Sequence, residues 1–91
     1  MTDTRKITKA VVVGLGSIAL RHRRNLKLLF PEVLIIAVPA SGRVSNQNVE
    51  FADQIILTLE EAIKEKVDLA IIASPAPFHL IHAKLLLLAG I

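Results

Sequence analysis

The segment Val11-Val12-Val13-Gly14-Leu15-Gly16-Ser17-Ile18-Ala19 carries the clearest structural signal of the chain, because an apolar run passes through Gly-x-Gly-x-x-Ala into a basic, helix-forming segment. Gly14 permits a tight turn after a buried strand, and Gly16, which has no Cβ, lets the backbone approach a pyrophosphate. The first N–H groups of the following helix favour anions, and the helix dipole adds to this preference. The segment predicts a dinucleotide-binding turn; the alternative is a glycine turn needed only for packing.

Apolar runs and breakers predict alternating strands and helices along the rest of the chain. Pro31 ends the first helix, Thr58 and Glu61 form a capping box that opens the second, and Gly90 ends the third. Four residues of the first helix are spaced to share one face, which we predict to be the buried one: Ile18, His22, Leu26 and Leu29. We predict strands at 7–13, 33–38, 54–57 and 67–73, and helices at 17–29, 58–66 and 78–89.

This β-α-β-β-α-β-α order predicts an α/β fold, namely an incomplete Rossmann-type doubly wound parallel sheet. Right-handed crossovers give the strand order 3-2-1-4 and place helices on both faces. Residues 1–91 form one domain on this interpretation. The turn at Gly14–Gly16 and the loop at Ser74–Pro77 should meet at the carboxyl ends of strands one and four.

Composition excludes several function classes. The chain is 53% hydrophobic, but no apolar run reaches the roughly 18–20 residues of a membrane span. It contains no cysteine, so disulfides and thiolate metal sites are excluded and a cytoplasmic location is expected. The net charge of +3 comes largely from basic residues of the first helix, interpreted as a solvated face: Arg21, Arg23, Arg24 and Lys27. With three Phe and no Tyr or Trp, base stacking has few candidates, so no nucleic-acid partner is expected.

Further motifs give the chain a family resemblance. Gly-Leu-Gly-Ser-Ile is followed by Arg21-His22 and Asn25-Leu26, and the fourth strand leads into Ser74-Pro75-Ala76-Pro77-Phe78-His79. With these motifs the chain resembles, over nearly its whole length, the N-terminal cofactor domain of the glucose–fructose oxidoreductase and inositol dehydrogenase family. Members of that family are NAD(P)-dependent oxidoreductases of sugars, cyclitols and nucleotide sugars.

The resemblance implies roles for individual residues. Gly14, Gly16, Ser17 and Ile18 would line the pyrophosphate side of the cofactor. On the nicotinamide–ribose side the corresponding residues would be Ser74, Pro75 and His79.

The family pattern also predicts what these 91 residues lack. After Ala89-Gly90 the family continues into a fifth strand ending in Glu-Lys-Pro, whose lysine is a catalytic acid/base, and then into a substrate domain. Lys84 lies within the last predicted helix and does not match that motif. We therefore assign no catalytic residue, interpret the chain as truncated before the fifth strand, and expect no turnover by it alone.

The end of the second strand predicts which cofactor is bound. An NAD site uses Asp or Glu there to accept a hydrogen bond from the ribose 2′-hydroxyl. This chain has Val38-Pro39-Ala40-Ser41-Gly42-Arg43, with no carboxylate. Ser41 and Arg43 are suited to a 2′-phosphate, which favours NADP, with NAD as the alternative.

Other interpretations of the sequence compete with an NADP-dependent oxidoreductase domain. His79 and His82 are spaced i, i+3, but no acid or Cys accompanies them locally, so no metal site is assigned. The leading function is the cofactor-binding domain of a sugar-type NAD(P)-dependent oxidoreductase. The alternatives are a non-catalytic dinucleotide-sensing module and an S-adenosylmethionine site, the latter disfavoured by the missing acid.

Exposed apolar surface predicts self-association. The fourth strand would form a sheet edge that carries no charge after Asp68, and such an edge recruits another chain. Leu85 to Leu88 cover every side of the last helix. We expect a homo-oligomer formed through this edge and this helix.

Overall fold

The structure, a computed structural model, describes residues 7–40, 49–74 and 76–90. Three helices and four short strands alternate along these ranges. In chain order they are β1 (Lys9–Val13), α1 (Ser17–Leu29), β2 (Leu34–Val38), β3 (Gln54–Ile55), α2 (Leu59–Ile63), β4 (Leu69–Ile72) and α3 (Ala76–Leu88).

The four strands form one parallel sheet in the order β3-β2-β1-β4. β1 lies in the centre, where Val11 is in register with Ile36 of β2 on one side and with Ala70 of β4 on the other. The chain runs outward from β1 to β2 and β3 and then crosses back over the sheet to β4 on the other side of β1, so the strand order reverses between β1 and β4. The predicted α/β fold with strand order 3-2-1-4 is confirmed.

Both faces of the sheet are buried, which explains the unbroken apolar run of β1. Val11 and Val13 face a core completed by Leu59 of α2 and Leu86 of α3. The alternate residues of β1 face the second core, which contains Ala19 and Leu26 of α1 together with Ala10, Val12, Val33 and Ile35. A strand covered on both sides has no polar face, so its sequence does not alternate.

The buried face of α1 differs from the predicted one. Ala19, Arg23 and Leu26 are buried, whereas Ile18 and Leu29 are exposed. The stripe at i, i+4 and i+7 is also a helical repeat, and small Ala19 allows α1 to approach the sheet. The prediction that Arg23 belongs to a solvated face is therefore wrong.

The predicted helix boundaries hold for α1 and shift for α2 and α3. Thr58 caps α2, since its Oγ1 accepts a hydrogen bond from the Glu61 N–H at 3.3 Å. α2 ends at Ile63, before the predicted Lys66, which adopts a φ of 57° on the way into β4. α3 begins at Ala76, two residues earlier than predicted, because proline is tolerated in a first helical turn.

Asp53 ties α1 to the β2–β3 side of the sheet. Its Oδ2 accepts hydrogen bonds from Lys27 Nζ at 2.6 Å and from the Ile35 N–H at 2.8 Å. Burial alone would raise the pKa of Asp53, but the hydrogen bond from Lys27, the one from Ile35 and the charge of Lys27 lower it overall. The carboxylate is thus stabilised in its charged form.

β4 lies at an edge of the sheet and carries half-buried apolar residues. Beside it, α3 exposes large apolar side chains, namely Leu80, Ile81, Leu87 and Leu88. Within the described ranges, none of the helices has the length and apolar character required to cross a bilayer.

Candidate functional site

The glycine turn begins where β1 meets both of its neighbours. Gly14 has a φ of +112°, and a Cβ on it would lie 2.7 Å from the Ala73 carbonyl oxygen. Its N–H donates a hydrogen bond to the Val38 carbonyl at 2.7 Å. The ends of β2 and β4 therefore hold this backbone from two sides. Glycine at position 14 is required by the fold itself.

Gly16 has no such internal constraint. Its φ of −74° is accessible to any residue, and a Cβ built on it meets no atom within 4 Å. The residue is exposed at the start of α1. Nothing in the described packing requires glycine at this position, and the space in front of it is open.

The N-terminus of α1 is free of capping side chains. Gly16 is the N-cap residue, no side chain among the described residues caps the first turn, and that turn contains no acidic residue. The first helical hydrogen bond runs from the Leu20 N–H to the Gly16 carbonyl at 3.0 Å. The N–H groups of Ser17, Ile18 and Ala19 come before this first bond and have no partner within the helix. This end of α1 offers donors and a positive dipole to an anion.

A cavity of about 460 Å³ opens beside this helix end. It is of the size usual for small-molecule sites, roughly 300–1,000 Å³. The glycine turn forms one end of the cavity, and one side of α1 forms a wall. The described lining residues are Leu15, Gly16, Ser17, Leu20, Arg23, Val49 and Glu50.

Arg23 is one of two charged residues among the described ones that line this cavity, and Glu50 is the other. Its side chain is only 2% exposed, and its Nε donates a hydrogen bond to the Glu50 carbonyl at 2.8 Å. Burial lowers the pKa of Arg23, and the negative charge of Glu50 opposes this effect. Arginine nevertheless keeps its charge at any physiological pH.

Ser74 and His82 form a buried pair on the other side of the turn. Ser74 is 4% exposed and His82 7%, and Ser74 Oγ lies 2.9 Å from His82 Nδ1. His79 donates from Nε2 to the Ser74 carbonyl oxygen. Burial lowers the pKa of His82, the charge of His79 lowers it further, and Glu60 opposes both. The pair fastens the end of β4 to α3.

The structure brings most of the described candidate residues together. Gly14, Gly16, Ser17 and Ile18 form the turn and the first helical residues, and the backbone of Ser74 lies against Gly14. His79 reaches the same strand end through Ser74. Three further candidates lie outside the described residues: Ser41, Arg43 and Pro75.

Three polar residues near the turn were missed from sequence. The sequence places Arg23 on a solvated face, gives Glu50 no role, and predicts ordinary packing rather than a metal site for His82. The spacing of Arg23 from Ala19 and Leu26 was the available signal for its burial. In the described part of the chain, His, Asp and Glu side chains form no cluster of three or more that could hold a metal ion.

Comparison of the chain with protein-family models, with curated proteins and with solved structures found no match in any of the three.

Proposed function

We propose that this chain is a dinucleotide-binding domain and that the turn from Gly14 to Ala19 receives the cofactor pyrophosphate. The open space at Gly16, beside an uncapped helix N-terminus, is the observation that carries the proposal. A glycine that the protein does not need for its own packing is explained by a ligand that occupies the position of its Cβ.

The residues present fit such a cofactor. The first-turn N–H groups of α1 supply hydrogen bonds to phosphate oxygens, and the adjoining cavity has room for the adenosine side. From Val38 through Ala40 the end of β2 carries no carboxylate, which favours NADP over NAD. Ser41 and Arg43 remain candidates for the 2′-phosphate.

The proposed reaction class is oxidation or reduction of a sugar, cyclitol or nucleotide sugar. Its support is the family resemblance and the position of the Ser-Pro-x-x-x-His segment, whose first residue lies against the glycine turn. NADP, when bound, supplies the hydride chemistry. The chain's own residues bind and orient it: α1 holds the phosphates, and Ser74 and His79 border the strand end. A cytoplasmic location fits the absence of cysteine from the sequence.

A second candidate is a dinucleotide-sensing module without catalysis. Ser74 favours it, because its hydroxyl is buried and engaged with His82 and is not open to a ligand. The two candidates differ in what responds to the dinucleotide: an oxidoreductase domain, once joined to a substrate domain, binds a sugar or cyclitol beside the cofactor, whereas a sensor changes its association with a protein partner when the dinucleotide binds.

The test of dinucleotide binding is a calorimetric or fluorescence titration with NADPH and NADH. We expect wild-type protein to bind NADPH and Gly16→Val to lose at least about 100-fold in affinity, because the branched side chain fills the phosphate space. Ala89→Val places the same branched side chain at an exposed residue at the far end of the chain and should bind normally. Wild-type protein that binds neither cofactor would overturn the proposal, as would Gly16→Val protein that binds as wild type does.

A further inference from the structure

Arg23 is buried with part of its guanidinium unsatisfied. Its Nε is bonded to the Glu50 carbonyl, but its Nη1 is buried without a hydrogen-bond partner among the described residues. It is the one such side-chain atom found in the described part of the chain. Burying a charged donor without an acceptor is unfavourable, and such a position calls for an explanation.

The position of Arg23 along α1 relates it to the glycine turn. Ser17, Leu20 and Arg23 follow one another at three-residue spacing and line the same cavity. At 1.5 Å per residue, Arg23 lies about 9 Å along the helix axis from Ser17. Helical side chains lean towards the N-terminus, so a long arginine side chain reaches back along the cavity towards the turn.

The cavity therefore has two anion-attracting ends. One is the N-terminus of α1, and the other is Arg23, which lines the cavity and whose Nη1 has no partner among the described residues. A guanidinium is planar and matches the oxygens of a phosphate monoester, which accept charge-assisted hydrogen bonds. A ligand that carries two phosphate groups a ribose apart fits both ends. NADP is such a ligand, since its 2′-phosphate and its pyrophosphate lie on the same ribose.

We propose that Arg23 binds the 2′-phosphate of NADP and so selects NADP over NAD. This inference rests on the proposed function and deepens it. Arg23 comes from α1, so it acts independently of the residues that follow β2. The Glu50 backbone holds the guanidinium through Nε, and Nη1 keeps its hydrogen-bonding capacity unused among the described residues.

Glu50 is the charged group that opposes this assignment. Its residue lines the same cavity and is exposed. A carboxylate there repels a 2′-phosphate, but solvent screens an exposed charge. A carboxylate that instead accepted from a 2′-hydroxyl would make the site select NAD. The two possibilities predict opposite effects of Glu50→Gln.

The experiment measures the affinity of NADPH and NADH for wild type, Arg23→Met, Arg24→Met and Glu50→Gln. We expect Arg23→Met to weaken NADPH at least about tenfold and NADH by less than about twofold. Arg24 is its exposed neighbour on α1, and Arg24→Met should change neither. Glu50→Gln should leave NADPH binding unchanged or tighter. Circular dichroism establishes that each variant folds.

A second measurement needs no variant. Wild-type protein is titrated with 2′,5′-ADP and with 5′-AMP, and we expect the first to bind at least about tenfold more tightly. Equal affinities would overturn the role of Arg23, even if Arg23→Met does not fold.

The remaining outcomes separate the two proposals. If wild type binds neither NADPH nor NADH, the proposed function itself fails. If both bind and Arg23→Met weakens them equally or not at all, dinucleotide binding stands and the assignment of Arg23 is wrong. Loss of NADH binding in Glu50→Gln, with NADPH binding unaffected by Arg23→Met, would show an NAD site instead.

Discussion

Gly14 and Gly16 belong to one sequence pattern, but glycine is needed at the two positions for different physical reasons. Gly14 lies between the ends of three strands with a positive φ, and the Ala73 carbonyl leaves no room for a Cβ. Gly16 has an ordinary backbone conformation and open space in front of it. The fold requires the first glycine, and the proposed ligand requires the second.

Gly14→Ala should therefore destabilise the protein and Gly16→Ala should not. We expect Gly14→Ala to lower the free energy of unfolding by at least about 2 kcal/mol, from backbone strain and the clash with Ala73. Gly16→Ala should change it by less than about 1 kcal/mol. Urea unfolding followed by circular dichroism measures both, and equal losses would contradict the distinction.

The lowered pKa of Asp53 predicts that the stability of the protein depends on pH in the acid range. Because the native state lowers the pKa of this carboxyl, its contribution is present above the unfolded-state pKa of about 3.9 and is lost as the pH falls through the lower native value. Asp53→Asn should lower stability by about 1 kcal/mol at pH 7, since the pair is partly exposed.

Urea unfolding at pH 7, 5 and 3 tests this prediction. The difference between wild type and Asp53→Asn should shrink at the lowest pH. Glu32→Gln, an exposed acid on the turn after α1, is the matched control and should have little effect. A difference that stays constant from pH 7 to pH 3 would contradict the role of the ionised carboxylate.

At the scale of elements, the Ser74–His82 pair joins β4 to α3 and should make that junction pH-sensitive. Burial lowers the pKa of His82 below the ordinary value for histidine, so the unfolded chain takes up a proton first as the pH falls. Stability should be complete above about pH 6.5 and decline below it.

We expect His82→Gln to flatten the decline in unfolding free energy between pH 7 and pH 5. His22→Gln changes a half-buried histidine on α1 and should keep the wild-type slope. If His82→Gln shows the same slope as wild type, protonation of His82 does not govern the junction.

The order and type of the elements could be predicted because local signals agree with the fold. Pro31, the Thr58 cap and the buried run of β1 each mark an element that the structure contains. Two stripes of α1 have helical spacing, one through Ile18 and one through Ala19, and periodicity alone does not decide which of them is buried. The hydrogen bond that holds Arg23 joins its Nε to the carbonyl of residue 50, which lies 27 positions further along the chain, and no periodicity within the helix contains that contact.

The parts of the candidate site that follow from strand order could be predicted, and the parts that depend on how the helices dock could not. Parallel strands end at one edge of a sheet, so the meeting of Gly14 with the end of β4 follows from the strand order alone. Ser74 was correctly placed beside the turn, but its hydrogen bond to His82 depends on how α3 docks. Glu50 lines the cavity from a turn outside the helices and strands, where the sequence has no periodicity that could predict its position.

At the scale of the whole molecule, we predict self-association through the β4 edge and α3. A shallow apolar groove of about 350 Å³ runs between them and includes Leu69, Leu86 and Leu87. A second copy would pair with the backbone of the edge and cover these leucines.

Light scattering over a dilution series tests this association. Leu87→Glu should reduce the mass to that of a monomer, because it places a charge in the groove. Leu29→Glu makes the same change at a similarly exposed residue of α1, 72% exposed against 75%, and should leave the mass unchanged. A wild-type monomer at high micromolar concentration would contradict the prediction.

The central claim is that a dinucleotide binds at the start of α1, and amide chemical shifts test it most directly. In a titration of ¹⁵N-labelled protein with NADPH, we predict the largest shifts at the N–H groups of Gly16, Ser17, Ile18 and Ala19, with smaller ones at Ser74. The apolar groove beside β4 should not respond, which Leu69 and Leu87 report. Shifts centred on that groove, or none at millimolar NADPH, would contradict the account.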